Sequence, residues 1–419
     1  MDLYLTNTLT RKKEPFHNRE GNKVKIFTCG PSIYRYPHVG NYATFLYEDI
    51  LHRYLEYLGY RVERLMNFTD VEDKAIDEAR KKGLTLEELT QPVAEQFSRD
   101  RDLLRLKISE PIPRSSTSVE QAVHLIKLLL ERGYAYWHRR DVFFDPLKFE
   151  GFGKLYGLDM SRWPKKKRRF RRDNYPGSRW NLGDFILWHG DGDDEDHFSW
   201  ETDLGKGRPA WNIQDPAMIT KHLGYQVDIA CGGADNLYRH HDYTIAVIEA
   251  ISHKTFATYW LHGEHVLIDG AKMSKSKGNI VYPKDILMRG FEGDHIRFFL
   301  IYGHYRQKTN FSWQSFRESV GLLASLQGMV RKVTEETSPE RSNSQAEKLI
   351  RELKGTFKEQ MSDDLDVKGA VDTLHRNLSS LTVLKAEGGL GRKETRKIRN
   401  IIEDIDGVLQ VLGLWRGAF

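Results

Sequence analysis

Cysteine is nearly missing from this chain: Cys29 and Cys231 are the only two in 419 residues. That is too few for a disulfide framework, and no C-x-x-C spacing suggests a structural zinc or redox motif. Each is read as a buried apolar residue or a site thiol. Proline is sparse too, 13 residues against 34 glycines, which excludes a proline-rich or collagen-like chain. No apolar run approaches the length needed to span a bilayer. The stretch Met1 to Asn7 has neither the basic-then-apolar order of a signal peptide nor an Arg-rich transit segment. A soluble cytoplasmic chain without membrane contact is therefore expected. Its length exceeds what one hydrophobic core usually serves, so two or three packed units are expected.

Charge of one sign is also scarce. Lys and Arg number 64 against 59 Asp and Glu, a net +5, which permits an anionic partner without requiring one. The distribution says more. Within Lys165 to Arg172 every residue except Phe170 is a cation, and an acidic stretch runs from Asp191 to Asp196. The plain reading is two solvated loops. The sharper one is contact between the basic strip and a nucleic-acid backbone, as a tRNA-handling protein would make.

What is present is an α/β pattern. Lys23 to Cys29 reads as a strand, the Gly30-Pro31 turn follows, and Asn41 to Leu55 is apolar at helical spacing. A second strand runs over Arg61 to Phe68, completing the βαβ unit of a parallel sheet. Helical segments fill roughly 84–133. The region 134–205 is rich in Trp, Gly and charge and looks like an insertion, with short strand-like pieces such as Asp141 to Asp145. Strand signals resume at Gln226 to Ala230 and Tyr259 to His262, around a helix over Tyr243 to Ser252. Beyond Trp313 the pattern is helical, broken by a polar loop over Glu335 to Gln345.

Two motifs carry chemistry. Pro37-His38-Val39-Gly40-Asn41 lies between a strand end and a helix start, where free backbone N–H groups and the helix dipole favour phosphate. Gly40 would let an adenine or ribose approach the backbone. Lys272-Met273-Ser274-Lys275-Ser276 places lysines on a Ser-rich loop, able to follow the charge that builds on a departing pyrophosphate. Alone, the first is most often a turn with a satisfied histidine and the second a solvated loop. Together, in this order on an α/β chain, they resemble the HIGH and KMSKS signatures of class I aminoacyl-tRNA synthetases.

The resemblance sharpens to the cysteinyl-tRNA synthetase family. Phe27 to Tyr34, Leu55 to Tyr60, Asn67 to Lys74, Asp184 to Trp188, Gly207 to Trp211, Gly232 to Asp235, His240-His241 and Asn310 to Ser312 resemble segments of that family in order, with Asp363 to Asp366 a fainter match. The resemblance implies a Rossmann-type catalytic domain with an insertion between its halves, followed by an all-α helical bundle. The expected boundaries are 1–120 and 206–262 for the catalytic halves, 121–205 for the insertion, 263–315 for the KMSKS-bearing connection and 316–419 for the bundle. It also implies ATP with Mg²⁺. The catalytic residues would be His38, Asn41, Lys272 and Lys275. The ATP site would add Gly30, Gly40, Gly232, Asp235, Met273 and Ser274. The amino-acid pocket would comprise Cys29, Thr69, Trp211, Asp215, His240 and Thr244.

Departures from the family pattern shape the expectation. The family holds zinc through two cysteines, a histidine and a glutamate. The first cysteine falls on Cys29 and the histidine on His240. The second cysteine, from WHIECS, falls on Asp215, and the glutamate of HHENE falls on Thr244. Cys29, Asp215 and His240 could still make a three-ligand site, but threonine is a poor ligand and a carboxylate is harder than a thiolate, so an empty site is favoured over an occupied one. A buried Asp215 must then be matched by a protein cation such as Arg239 or His240, or by a basic or hydroxylated substrate in place of cysteine. Asn41 replaces the last histidine of the first signature, which is expected to weaken adenylation. Nothing after the bundle resembles an anticodon-reading module, as in the cysteine ligase of mycothiol biosynthesis. The expected protein is a monomeric ligase that forms an aminoacyl adenylate and passes it to a small amine or another non-tRNA acceptor. The alternatives are a compact cysteinyl-tRNA synthetase charging tRNA and a non-catalytic binding paralogue.

Overall fold

The computed structural model describes residues 2–162, 184–191, 198–274, 277–336 and 343–414. The basic strip, most of the acidic stretch, Lys275 and Ser276 lie outside the described residues. An N-terminal hairpin of β1 (Tyr4–Asn7) and β2 (Lys12–Pro15) precedes the unit β3 (Lys23–Thr28), α1 (Val39–Tyr57) and β4 (Arg61–Met66). Helices α2 (Asp73–Lys82), α3 (Leu86–Leu103) and α4 (Val119–Glu131) follow. Strands β5 (Ala135–His138), β6 (Asp141–Phe144), β7 (Phe185–Gly190) and β8 (Gly207–Pro209) form an antiparallel sheet in that order. The chain then runs through α5 (Trp211–His222), β9 (Val227–Gly233), α6 (Asp242–Ser252) and β10 (Ala257–Gly263).

Strands β10, β9, β3 and β4 make one parallel sheet. Every residue of β9 is buried, as expected of a strand covered on both faces, and its one charged residue, Asp228, accepts from Arg19 and Lys25 N–H. Neighbouring strand residues take opposite sides: Ile26 joins the core shared with α1, whereas Phe27 joins the one made with α5 and α6. The antiparallel sheet shares a further core with α4, α5 and α6 through Phe144, Phe185, Trp211 and Tyr243. The antiparallel sheet is thus packed onto α5 and α6, which also cover the parallel sheet. Carboxyl ends of β3, β9 and β10 open on one side of the sheet, where ligands of open α/β sheets bind.

Past the sheet come β11 (Val266–Ile268), β12 (Ala271–Lys272), α7 (Pro283–Leu287), α8 (Gly293–Ile301) and β13 (Thr309–Phe311). The three strands form a small sheet in the order β12-β11-β13, which the sequence pattern does not announce. Helices α9 (Trp313–Thr334), α10 (Ser344–Ser362), α11 (Val367–Ala386) and α12 (Arg392–Leu409) form the bundle. On α12 the buried Ile398, Ile402, Ile405 and Leu409 repeat at three- and four-residue spacing, an apolar stripe on an otherwise charged helix. That stripe, α1 and α8 belong to one continuous core, so the bundle and the parallel-sheet unit are packed together. No described helix is long and apolar enough to cross a membrane.

Candidate active site

The first signature forms the cap of α1. His38 is the N-cap residue, in an extended conformation, and its Nδ1 accepts from Gly40 N–H at 3.1 Å and Asn41 N–H at 3.3 Å. Asn41 reciprocates: its Oδ1 accepts the His38 N–H at 3.0 Å, closing a capping box. Val39 N–H donates to Val281 O. The expectation of free N–H groups waiting for phosphate is therefore corrected, because the first three are all bonded. What the cap leaves is more specific. An Nδ1 that accepts puts the proton of the neutral ring on Nε2, and burial lowers the His38 pKa below its ordinary value. His38 thus presents an uncharged N–H donor to the cleft it lines.

Gly40 serves a contact between motifs. A Cβ there would lie 2.5 Å from the Met273 methyl carbon, so the bare Gly40 lets the second signature approach the first across the cleft that both line. That second signature is aimed by a hairpin. Asp269 and Gly270 both have positive φ, 48° and 76°, and join β11 to β12 with Ile268 opposite Ala271, the two-residue geometry that Asp-Gly favours. The turn brings exposed Lys272 to the rim. Asn279 steadies the loop, its Oδ1 accepting from Ser274 N–H at 2.9 Å and its amide donating to Lys272 O at 3.2 Å.

At the floor, three side chains from distant segments converge. His240 Nε2 lies 2.7 Å from Asp215 Oδ2 and 3.1 Å from Cys29 Sγ, with Cys29 Sγ 3.7 Å from Asp215 Oδ2. A one-turn π-helix, Leu237–His241, with Arg239 at φ 68°, sets this geometry. Such turns recur at functional sites. Trp211 stacks on the His240 ring at 5.5 Å and 10°. Asp215 is 2% exposed and takes a second bond from the Asn67 amide at 2.9 Å. Burial alone would lower the His240 pKa, but Asp215 outweighs it and the net shift is upward. Burial, then Asp215, pushes the Cys29 thiol well up. Asp215 thus has protein partners in His240 and Asn67, the first of the two expected alternatives, and a basic or hydroxylated substrate is not needed to match it.

Among the described residues these three are the group whose donor atoms, all within 4.8 Å of one another, could hold a metal. One sulfur, one imidazole nitrogen and one carboxylate oxygen are a zinc donor set, and three protein ligands leave a position for substrate. The residues present fit the ion. Thr244 adds nothing to them: it is buried and its hydroxyl donates to His240 O at 2.9 Å.

One cleft is lined by Cys29, Gly30, His38, Gly40, Asn41, Thr69, Trp211, Asp235, His240, Lys272, Met273 and Ser274. Gly232 stands behind the wall, packed on His241, while Gly233 faces the cleft. The sequence pattern did not single out Asn67, Asn236 or Gly233. Asn236 donates to Cys29 Sγ at 3.7 Å and accepts from Gly233 N–H at 3.1 Å. The Asp-Gly turn before Lys272 is the sequence signal for the β11–β12 hairpin.

Residues 15–321 match the family described as tRNA synthetases class I (C) catalytic domain. The chain belongs to the cysteinyl-tRNA synthetase family. It is 34% identical over 423 residues to a cysteine--tRNA ligase of Chlamydia muridarum (strain MoPn / Nigg), covering 98% of this chain and 88% of that protein. A cysteine--tRNA ligase of Chlamydia pneumoniae is 37% identical over 420 residues, with 98% and 87% covered. In fold, the chain is similar to Mycobacterium tuberculosis methionyl-tRNA synthetase in complex with methionyl-adenylate, with a TM-score of 0.70 at 15% identity over 93% of this chain and 92% of that one. This member of the family is a class I ligase with the α/β catalytic fold and helical region of that class. The comparisons lend no support to a small-amine acceptor, an amino acid other than cysteine or a monomeric state.

Proposed function

We propose that the protein activates cysteine with ATP and transfers the cysteinyl group to tRNA. The observation that carries this reading is the single cleft that joins both signature segments to the Cys29, Asp215 and His240 floor. The substrate carboxylate attacks the α-phosphorus of Mg²⁺-bound ATP and pyrophosphate leaves; a tRNA hydroxyl then attacks the acyl carbon and AMP leaves. His38 donates its Nε2 proton in a hydrogen bond to a phosphate oxygen without surrendering it. Lys272 meets the charge that grows on pyrophosphate, and Lys275, outside the described residues, shares that role by its place in the motif. Asp235, exposed in the lining of the same cleft, accepts from ribose hydroxyls. Cys29, Asp215 and His240 would hold zinc, which when bound favours the thiolate of the substrate and so separates cysteine from serine. Asn67 orients Asp215, Trp211 orients His240, and Asn41 keeps the His38 cap closed.

The test is ATP–pyrophosphate exchange across the standard amino acids, with zinc measured in the same preparations. Cysteine should be preferred and zinc stoichiometric. Asp215→Asn, which removes the anionic ligand, should lower zinc affinity by on the order of 10-fold or more and raise the KM for cysteine in step. Absence of zinc together with activation of a hydroxylated or basic amino acid would replace this reading with a metal-free pocket. Charging assays should show transfer to tRNA and none to amino sugars; the reverse result would overturn the acceptor.

A further inference from the structure

A column of buried and half-buried side chains runs from the bundle to the back of the cleft. It starts at Asp364, between α10 and α11, 4% exposed. Asp364 and Leu365 have φ of 57° and 59°, a left-handed pair of non-glycine residues that the surroundings must hold against its strain. Four bonds do so. Oδ1 accepts from Thr6 N–H and from the Tyr305 hydroxyl, both at 2.8 Å; Oδ2 accepts from the Thr6 hydroxyl at 2.5 Å; and the Asp364 N–H donates to Tyr4 O at 2.9 Å.

Tyr305 in turn lies against Tyr47 of α1, with ring centroids 4.9 Å apart and 21° between planes. The Tyr47 hydroxyl is 2.8 Å from Gly232 O and 3.1 Å from Leu261 O, and it accepts from Gly232 N–H at 3.1 Å. With one proton it donates to one carbonyl at a time, so it bridges the last residues of β9 and β10. Its ring covers Gly263, where a Cβ would fall 2.7 Å from Tyr47 Cε1. Just beyond these residues the strands deliver Gly233 and Asp235 to one part of the cleft and Glu264 and His265 to another.

Packing alone does not fix this column. A hollow lies beside it, lined by Thr44, Tyr47, Glu264, Tyr305, Leu365 and Val367 among others, and Thr44 and Glu264 also line the cleft. The ladder pairs Gly232 with His262 and Gly233 with Gly263, and with room on the column's side the hydroxyl bonds set where that pair sits against α1. We infer that Tyr47 is a positioning residue for the nucleotide: it fixes the ends of β9 and β10, and the Asp364–Tyr305 clamp fixes Tyr47, so bundle docking and ATP binding are energetically coupled. This rests on the ATP site assigned to the cleft above.

The experiment measures ATP binding by calorimetry and ATP and amino-acid KM in the exchange assay, for Tyr47→Phe, Tyr305→Phe and the double variant. Tyr47→Phe keeps the ring and strands a buried backbone donor, so it should weaken ATP binding and raise its KM about tenfold. The amino-acid KM should stay within about twofold, a split that loss of global stability would not produce. Tyr305→Phe should weaken ATP binding by about threefold in the wild-type background and have no further effect in Tyr47→Phe, the non-additivity of a coupled pair. Unchanged ATP affinity in a folded Tyr47→Phe protein overturns the inference, as does simple additivity of the two substitutions. A wild type that binds ATP but activates no amino acid would defeat the proposed function while the calorimetry still decides this one. A wild type that binds no ATP defeats both.

Discussion

Replacing His38 by alanine should slow ATP–pyrophosphate exchange by on the order of 10²-fold or more, the usual result of removing one preorganised donor from a site of developing charge. The substitution removes two things at once. Nδ1 is the cap acceptor for Gly40 and Asn41 N–H, and Nε2 is the donor left for phosphate. The cap is worth about 1 kcal/mol of helix stability. His38→Asn separates the two, because asparagine is among the best N-caps yet cannot place a ring N–H in the cleft. The expected pattern is a melting temperature for His38→Asn close to wild type and an exchange rate as low as that of His38→Ala. Recovery of exchange in His38→Asn would reduce the histidine to a capping residue.

The same residue shows what the sequence reveals and what it conceals. Periodicity reads Lys23 to Cys29 and Arg61 to Phe68 as strands flanking the helix at Asn41 to Leu55, and β3, α1 and β4 lie there because apolar spacing reports which faces are buried. A histidine is an unusual N-cap, so nothing in the pattern announces that His38 and Asn41 consume the N–H groups of α1. Short elements are concealed for another reason: β11 has three residues and β12 two, too few for alternation to register. The floor of the cleft is the hardest case. Cys29 lies 186 positions from Asp215 and 211 from His240, and family resemblance alone brings them together on paper. It does not show that Asn67 supports Asp215, or that Thr244 turns back to its own helix. Nor does it show Tyr47, whose spacing on α1 reads as ordinary core.

The largest stability effect is expected at the junction of α1, α8 and α12, where a buried charge group holds the catalytic body to the bundle. Asp49 and Arg297 have fully buried side chains, 2.6 Å apart from Oδ2 to Nη2, and Arg53 Nε adds a second donor to the same oxygen at 2.9 Å. Asp49 Oδ1 accepts from Lys107 N–H at 2.7 Å. Arg297 Nε donates to Leu409 O at 2.8 Å, and its Nη1 donates to Leu104 O at 2.7 Å and Arg105 O at 3.3 Å. Burial raises the Asp49 pKa, but Arg53 and Arg297 together outweigh it and the net shift is downward. Burial weakens the hold of Arg297 on its proton, yet an arginine keeps its charge regardless, so the Asp49 direction governs. Arg297→Met keeps much of the volume and strands a carboxylate with one cation where it had two, so it should cost about 3–5 kcal/mol. Asp49→Asn with Arg297→Met should lose less than the sum of the single losses, since the pair acts as a unit. The pH dependence has a definite sign. A depressed carboxylate stabilises the fold fully above its unfolded pKa of about 3.9, and that contribution is lost as pH falls through the lower folded value. Denaturant melts should therefore show wild type losing stability on the acid limb, below about pH 4, and Asp49→Asn with a flatter limb from a lower plateau. Equal slopes in the two proteins would mean that other carboxylates control acid unfolding.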